Sequence, residues 1–439
     1  MTSFSQLQIS KWQQFGDISI LFDRPATILT GANGSGKTTL LGFLARHANW
    51  NLPSLATPWR EGIEELLTQT ETTSDDPLAA AERAGAEQNA AQQRSTIGYR
   101  FVSRLFRNAE VSDTQIGTLT YENGSSARLM VPTASSASYT IAIDGQQQVE
   151  CFFVPSHRGI YRYVQVGQIP ISPIDRQNAY ARVVGSLTSR YFGQQGHPAS
   201  YFMKEALVAW SIFGRGNVDM DPDPEALKLF LGFQDVLRKV LPPTLGFRRL
   251  SIRKYEVTLD CSSGDFLLDG ASGGISTIID LAWMIYMFSS SKEATFTVLI
   301  DEVENHLHPT MQRRLLSDFI EAFPNARFVV STHSPLIVTS LRDAAIYVLK
   351  YRASDDVVSE RLDFQNQART ATQILDEVLG VSSTMPIWAE ADIDLVVRRF
   401  RDSAMDEGAF GVLKTEMQRL GLGAYLPLAL GKALEAKQP

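Results

Sequence analysis

Cysteine is scarce: only Cys151 and Cys261 occur in the 439 residues. That excludes a disulfide framework and any zinc cluster built from thiols. Long apolar runs are missing as well. A bilayer span needs about 18 to 20 apolar residues, and the densest stretch, "TIIDLAWMIYMF", is shorter and carries Asp280. The first residues, "MTSFSQLQISKWQQ", lack the basic-then-apolar order of a secretory signal. A cytoplasmic chain with no membrane partner is therefore expected. Positive charge is short too, at a formal net of −7, which argues against general coating of nucleic acid. A local basic groove stays open as an expectation. "FRRLSIRKY" (Arg248, Arg249, Arg253, Lys254) and "RRFR" (Arg398, Arg399, Arg401) could supply one, although a charge run is more often a solvated face.

What is present describes a globular chain with a large core: 44% hydrophobic and 20% charged residues. The length suits two or three domains, or one nucleotide-binding domain with insertions. "LQIS", "ISILF" and "ATILT" read as short strands separated by the turn chemistry of "FGD" and "DRP". "TLLGFLARHA" follows with helical spacing. From about 68 to 96 the sequence is polar and rich in Ala and Gln, too poor in large apolar groups to bury much. β-like alternation returns over 97–154, and 172–245 reads as mainly helical. Strands resume at "FRRLSIRKYEVTLDC", and a helical tail is expected after about 365. The fold class expected is α/β, with domain boundaries at 1–365 and 366–439.

Between "ATILT" and the helix lies "GANGSGKTT", Gly31 to Thr39, which fits G-x-x-x-x-G-K-[ST] at every fixed position. Peptide N–H groups can wrap a phosphate only where no Cβ intrudes, hence Gly31, Gly34 and Gly36 with Asn33 and Ser35 between them. The helix N-terminus adds its positive end. Lys37 can reach β- and γ-phosphate oxygens, Thr38 can ligate Mg²⁺, and Thr39 completes the run. This pattern points to a nucleoside triphosphate and leaves its use open.

Downstream, "FTVLIDE" is a buried apolar strand that delivers Asp301 and Glu302 to its C-terminal edge, where ligands bind in open α/β sheets. Asp301 would hold Mg²⁺, and Glu302 would orient and deprotonate a water. A second apolar strand, "ARFVVS", ends at Ser331, Thr332 and His333, where the imidazole could meet the γ-phosphate. "LDGASGGISTIIDLAWMIYM" places Ser272, Gly273 and Gly274 at the start of a long helical pattern, a second phosphate-binding nest. One chain does not need two γ-phosphate sites, but two chains facing each other do.

The set "GANGSGKT", "ASGG", "VLIDE" and "STHSP", in that order, resembles an ATP-binding-cassette ATPase head, an AAA-family enzyme of the Rad50/SMC and OLD-type branch. "DEVENHLHPTMQRRLL" looks like the OLD-like ATPases of anti-phage systems, and "FFVPSHRG" and "MKEALVAWSIFGRGN" look like the stand-alone ATPases of Septu-like and retron-type modules. The resemblance implies a P-loop fold with a mixed central sheet, an antiparallel β subdomain, a helical insertion at about 172–245 and a helical C-terminal interaction region.

It also implies ATP and Mg²⁺ as cofactors, held in a head-to-tail homodimer. Lys37, Thr38 and Asp301 serve the phosphates and metal, Glu302 is the catalytic base, and His333 is the switch histidine. Ser272, Gly273 and Gly274 act in trans. Three departures bear on hydrolysis rate more than on binding: Ala271 stands where leucine is usual, Ile275 where glutamine is, and Val303 where proline is common. The usual glutamine loop has no clear counterpart; "PSHR", especially His157 and Arg158, lies about where it should be, with Gln165 and Gln168 as alternatives.

A Toprim nuclease domain is not expected, because "EADID" (Glu390, Asp392, Asp394) has helical surroundings and only about 45 residues after it. The expected function is an ATPase that controls a separate effector such as a nuclease in anti-phage defence. The alternatives are a slow or inactive ATP-sensing scaffold, a Rad50-like DNA repair ATPase and a transporter subunit. The repair reading is weakened because no long heptad segment separates the cradle from "ASGG".

Overall fold

The computed structural model describes residues 2–52, 54–55, 114–132, 138–158, 161–170, 174–194, 196–289, 295–352, 356–362, 374, 387–400 and 407–435. The polar stretch at 68–96, Arg401 and part of the expected β region at 97–113 lie outside them. Two compact units emerge, Met1–Ala368 and Arg369–Pro439.

The first unit is organised by an eleven-stranded mixed sheet. Its strands are β1 (Phe4–Trp12), β2 (Phe15–Leu21), β3 (Ala26–Gly31), β5 (Thr114–Tyr121), β6 (Ser126–Val131), β8 (Ala142–Asp144), β9 (Cys151–Val154), β13 (Phe296–Ile300), β14 (Ala326–Ser331), β15 (Ala344–Tyr351) and β16 (Val357–Leu362). β4 (Ser54–Leu55) and β7 (Ser138–Tyr139) form a small separate pair. The order across the large sheet is β8-β6-β5-β1-β2-β16-β15-β3-β14-β13-β9. From β15 to β9 every neighbouring pair is parallel, whereas β1, β2, β5, β6 and β8 form an antiparallel meander.

The sequence explains the split. β3, β9 and β13 are buried at every position, as strands covered on both faces must be. β2 alternates buried and exposed residues over most of its length, leaving one face wet. Val298, Leu299 and Ile300 are each 2% exposed or less, and removing such a side chain from water stabilises the fold by roughly 1.5–3 kcal/mol.

Helix α1 (Lys37–Ala45) follows β3 directly. Helices α2 (Arg176–Tyr191), α3 (Ala199–Arg215) and α4 (Pro224–Val240) form the helical insertion. Two of them start on carboxylates: Asp175 accepts from the Asn178 amide, and Asp223 accepts from Glu225 and Ala226. A three-stranded antiparallel sheet, β10 (Phe247–Arg253), β11 (Glu256–Cys261) and β12 (Phe266–Leu267), leads into α5 (Gly273–Phe288). Trp283 on α5 stacks on Trp210 of α3 at 5.4 Å and meets Phe233 of α4 edge-on at 5.0 Å. Both cysteines are free and buried.

The second unit contains helices Ile387–Phe400, Glu407–Arg419 and Leu426–Glu435. Ile393, Val396, Leu413, Met417, Leu422 and Ala429 form its own small core.

Candidate nucleotide site

β3, β13 and β14 lie side by side and in parallel, so their C-terminal ends share one edge of the sheet. The loop after β3 turns through left-handed backbone at Gly34 and Gly36, with φ of 79° and 90°. At Gly36 a Cβ would sit 2.2 Å from Cζ of Phe15, so only glycine fits. The Gln14 side chain donates to the Gly34 carbonyl at 2.6 Å and steadies the loop tip. Ala32, Asn33 and Gly34 are exposed, while Ser35 and Lys37 are buried. The Lys37 ammonium curls back over the loop and donates to the carbonyls of Gly31 and Ala32 at 3.0 and 2.9 Å. Burial pushes its pKa down to about 8, against the pull of Asp301, Glu304 and Glu302.

Asp301 stands at the end of β13, 2% exposed. Its carboxylate accepts from Ser331 Oγ at 2.5 Å and lies 3.1 and 3.0 Å from the Thr38 hydroxyl. Burial raises its pKa, opposed by those two hydroxyls. Thr38 and Asp301 together make a hard, all-oxygen donor set, which fits Mg²⁺.

The chain then reverses at Glu302, whose φ of 46° is unusual for a residue with a Cβ. The Glu302 carboxylate accepts from Asn305 Nδ2 at 2.8 Å, and its amide donates to Ser331 Oγ at 2.8 Å. His333 follows β14. Burial lowers its pKa below the ordinary imidazole value, and Lys37 adds to that.

Arg158 is buried beneath this edge. Its Nη2 donates to the carbonyls of Asp301 and Glu302 at 3.0 and 2.8 Å, and its Nε to Pro155 at 3.4 Å. On these bonds it supports the backbone that carries the two acids. Gln165 and Gln168 are exposed.

Ser272 is exposed at the N-terminus of α5, and its side chain caps no amide of that helix. Gly274 sits tightly beside the loop after β13: a Cβ there would lie 3.0 Å from Met311 Sδ and 3.1 Å from the His306 carbonyl.

Sequence reasoning missed Glu304 and Asn305, the next polar residues of "DEVEN". Glu304 accepts the His333 amide at 2.6 Å, and Asn305 also donates to the Ser156 carbonyl at 3.1 Å. It also left unseen that two of the three arginines of "FRRLSIRKY" are paired with acids. Arg249 bonds Asp260 at 2.9 Å, and Arg253 bonds Asp260 and Asp265 at 2.6 and 2.9 Å.

Residues 262–339 match the family described as "AAA domain, putative AbiEii toxin, Type IV TA system", and residues 6–53 match one described as "AAA domain". Two separate stretches of the chain are thus similar to AAA domains. These two stretches hold the cradle, Ser272, Asp301, Glu302 and His333.

The chain is also similar, over part of its length, to proteins of the Septu and retron systems. It is 32% identical over 124 residues to the Septu protein PtuA of Bacillus mycoides (strain KBAB4), covering 27% of this chain and 18% of that protein. It is 33% identical over 129 residues to the Retron Vc95 probable ATPase of Vibrio cholerae serotype O1 biovar El Tor, covering 28% and 24%. The matches thus span about a fifth to a quarter of the length of those relatives. Among solved structures, the SMC head domain from Thermotoga maritima is similar at 10% identity and a TM-score of 0.36, covering 82% of this chain and 99% of that one. No helix of the described residues is long and apolar enough to cross a membrane.

Proposed function

We propose that the chain binds Mg–ATP between two head-to-tail copies of itself, hydrolyses it, and by doing so controls a separate effector, a nuclease, in anti-phage defence. One observation carries the reading: the cradle residues, Asp301, Glu302 and His333 come from three parallel strands that end on the same sheet edge.

The Lys37 ammonium, tied to loop carbonyls, is placed to transfer its bonds to phosphate oxygens. Thr38 and Asp301 would hold Mg²⁺, which when bound supplies positive charge to the phosphates. Glu302 takes a proton from the attacking water, and His333 donates a hydrogen bond to the phosphoryl group. Exposed Ser272 at the start of α5 is offered to the second copy's nucleotide. Sandwiching two nucleotides links their binding to association of the chains.

The effector is inferred from the Septu and retron relatives. We assign its docking to the C-terminal unit, where Leu395 and Val412 are 55% and 59% exposed.

Steady-state phosphate release with Mg–ATP, with Glu302→Gln as control, tests the reading. Turnover in the wild type and its loss in the variant are expected. A wild type no faster than Glu302→Gln would overturn hydrolysis and favour the ATP-sensing scaffold.

A further inference from the structure

The segments after β13 and β14 are stitched together by side chains. Ser331 Oγ bonds Asp301, the Glu302 amide bonds Ser331 Oγ, and Ser334 Oγ donates to Gln312 Oε1 at 2.6 Å. A further stitch is a side-chain-to-backbone hydrogen bond: Glu304 Oε1 accepts the backbone N–H of His333 at 2.6 Å. The other oxygen of Glu304 is buried without a hydrogen-bond partner among the described residues. Removing the carboxylate would orphan the His333 amide and free the residue that carries the imidazole.

We propose that Glu304 is the positioning residue for His333, fixing its backbone through the 2.6 Å bond and setting the charge around its ring. The inference rests on the ATPase reading for what His333 does, but on the structure alone for where Glu304 holds it.

The groups acting on the imidazole are Lys37 on α1 and Asp301, Glu302 and Glu304 in the loop after β13. Burial and Lys37 lower its pKa, and Glu304 is foremost among the acids that raise it. Glu304 is likewise foremost among the acids acting on buried Arg158. A carboxylate in this place therefore does two separable things. As an acceptor it holds an amide, which glutamine can also do. As a charge it favours the imidazolium, which glutamine cannot do.

The test compares wild type, Glu304→Gln and Glu304→Ala, each also in a His333→Ala chain. With Mg–ATP, Glu304→Ala is expected to lower kcat about 100-fold, the size of effect that a small misplacement produces. The nucleotide Kd should stay within about threefold. Glu304→Gln should recover most of the rate, and alanine at 304 should add nothing once His333 is gone. Equal losses in both backgrounds, or a Kd that worsens as much as kcat falls, would overturn the proposal.

A second readout needs no turnover. In the nucleotide-free chain, the His333 imidazole followed by NMR should titrate at lower pH in Glu304→Gln than in wild type. An unchanged titration overturns the proposal whatever the hydrolysis assay gives. Absent wild-type phosphate release counts against the ATPase reading, and the imidazole titration then decides the role of Glu304.

Discussion

The Thr38 hydroxyl lies 3.1 and 3.0 Å from the two carboxylate oxygens of Asp301, although 263 residues separate them in the chain. One comes from the first turn of a helix and the other from the end of a buried strand. Only the parallel order of β3, β14 and β13 brings them together.

We expect that pairing to make nucleotide binding magnesium-dependent through a single charge. Asp301→Asn keeps the shape and an acceptor but removes the anion. We expect calorimetry to show that Mg²⁺ strengthens ATP binding by at least about tenfold in the wild type and scarcely at all in the variant. An equal Mg²⁺ effect in both chains would remove Asp301 from the metal site.

Arg158 is expected to act on stability and turnover together. Its Nη2 serves two consecutive carbonyls while its Nε reaches the Pro155 carbonyl, a spread of donors along a planar head that a single lysine ammonium does not reproduce. Arg158→Lys should cost about 1–3 kcal/mol in denaturant unfolding, the price of leaving a buried polar group unpaired. Phosphate release should slow at the same time, because both acids ride on that backbone. Full stability in the lysine variant would show that the second bond is dispensable.

Sharing between copies is tested by mixing. Lys37→Ala and Ser272→Arg chains should each be inactive alone, yet recover about a quarter of wild-type phosphate release when combined, if each site works independently. A mixture no more active than its parts would speak against Ser272 serving a neighbour.

Asp280 gives a pH-dependent stability. It is buried in α5, where it accepts from Tyr161 at 2.6 Å, and burial pushes its pKa from 3.8 to about 7. Its folded pKa lies above the unfolded one, so between those values the folded chain binds more protons. This residue's contribution therefore falls as pH rises from about 4 to 7, and the whole penalty is in force above 7. Asparagine keeps an acceptor for Tyr161 and does not titrate. Asp280→Asn should flatten that part of the stability curve by at most about 4 kcal/mol, which denaturant unfolding at pH 5 and 8 would show. Parallel curves for the two chains would contradict the shift.

The cradle, the buried strand with its terminal acids and the helix after Ser272 were legible in the sequence because each is local. Glycines that exclude a Cβ, an unbroken apolar run and a 3.6-residue period all act over fewer than about 20 residues. The sheet order was not legible. The β2–β16 contact joins chain positions 340 residues apart, as in the bond from the Ser19 amide to Ser359 Oγ, and no periodicity encodes such a pairing. Glu304 and Asn305 were missed for a related reason. The left-handed turn at Glu302 folds "EN" back against β14, whereas a strand-like continuation would send alternate residues to opposite faces. Arg158 was singled out only as lying about where the family's glutamine loop should be; that it holds the carbonyls of Asp301 and Glu302 depends on the packing of β9 against β13, which no local pattern encodes.

The two buried thiols have a practical consequence. Burial pushes Cys151 up to about 12 and raises Cys261, so neither offers a thiolate at neutral pH. The wild-type chain is thus a silent background for sulfhydryl chemistry. A single Ser272→Cys substitution would put a lone reactive sulfur on the exposed tip of α5, where a maleimide dye could watch that tip become covered as nucleotide is added.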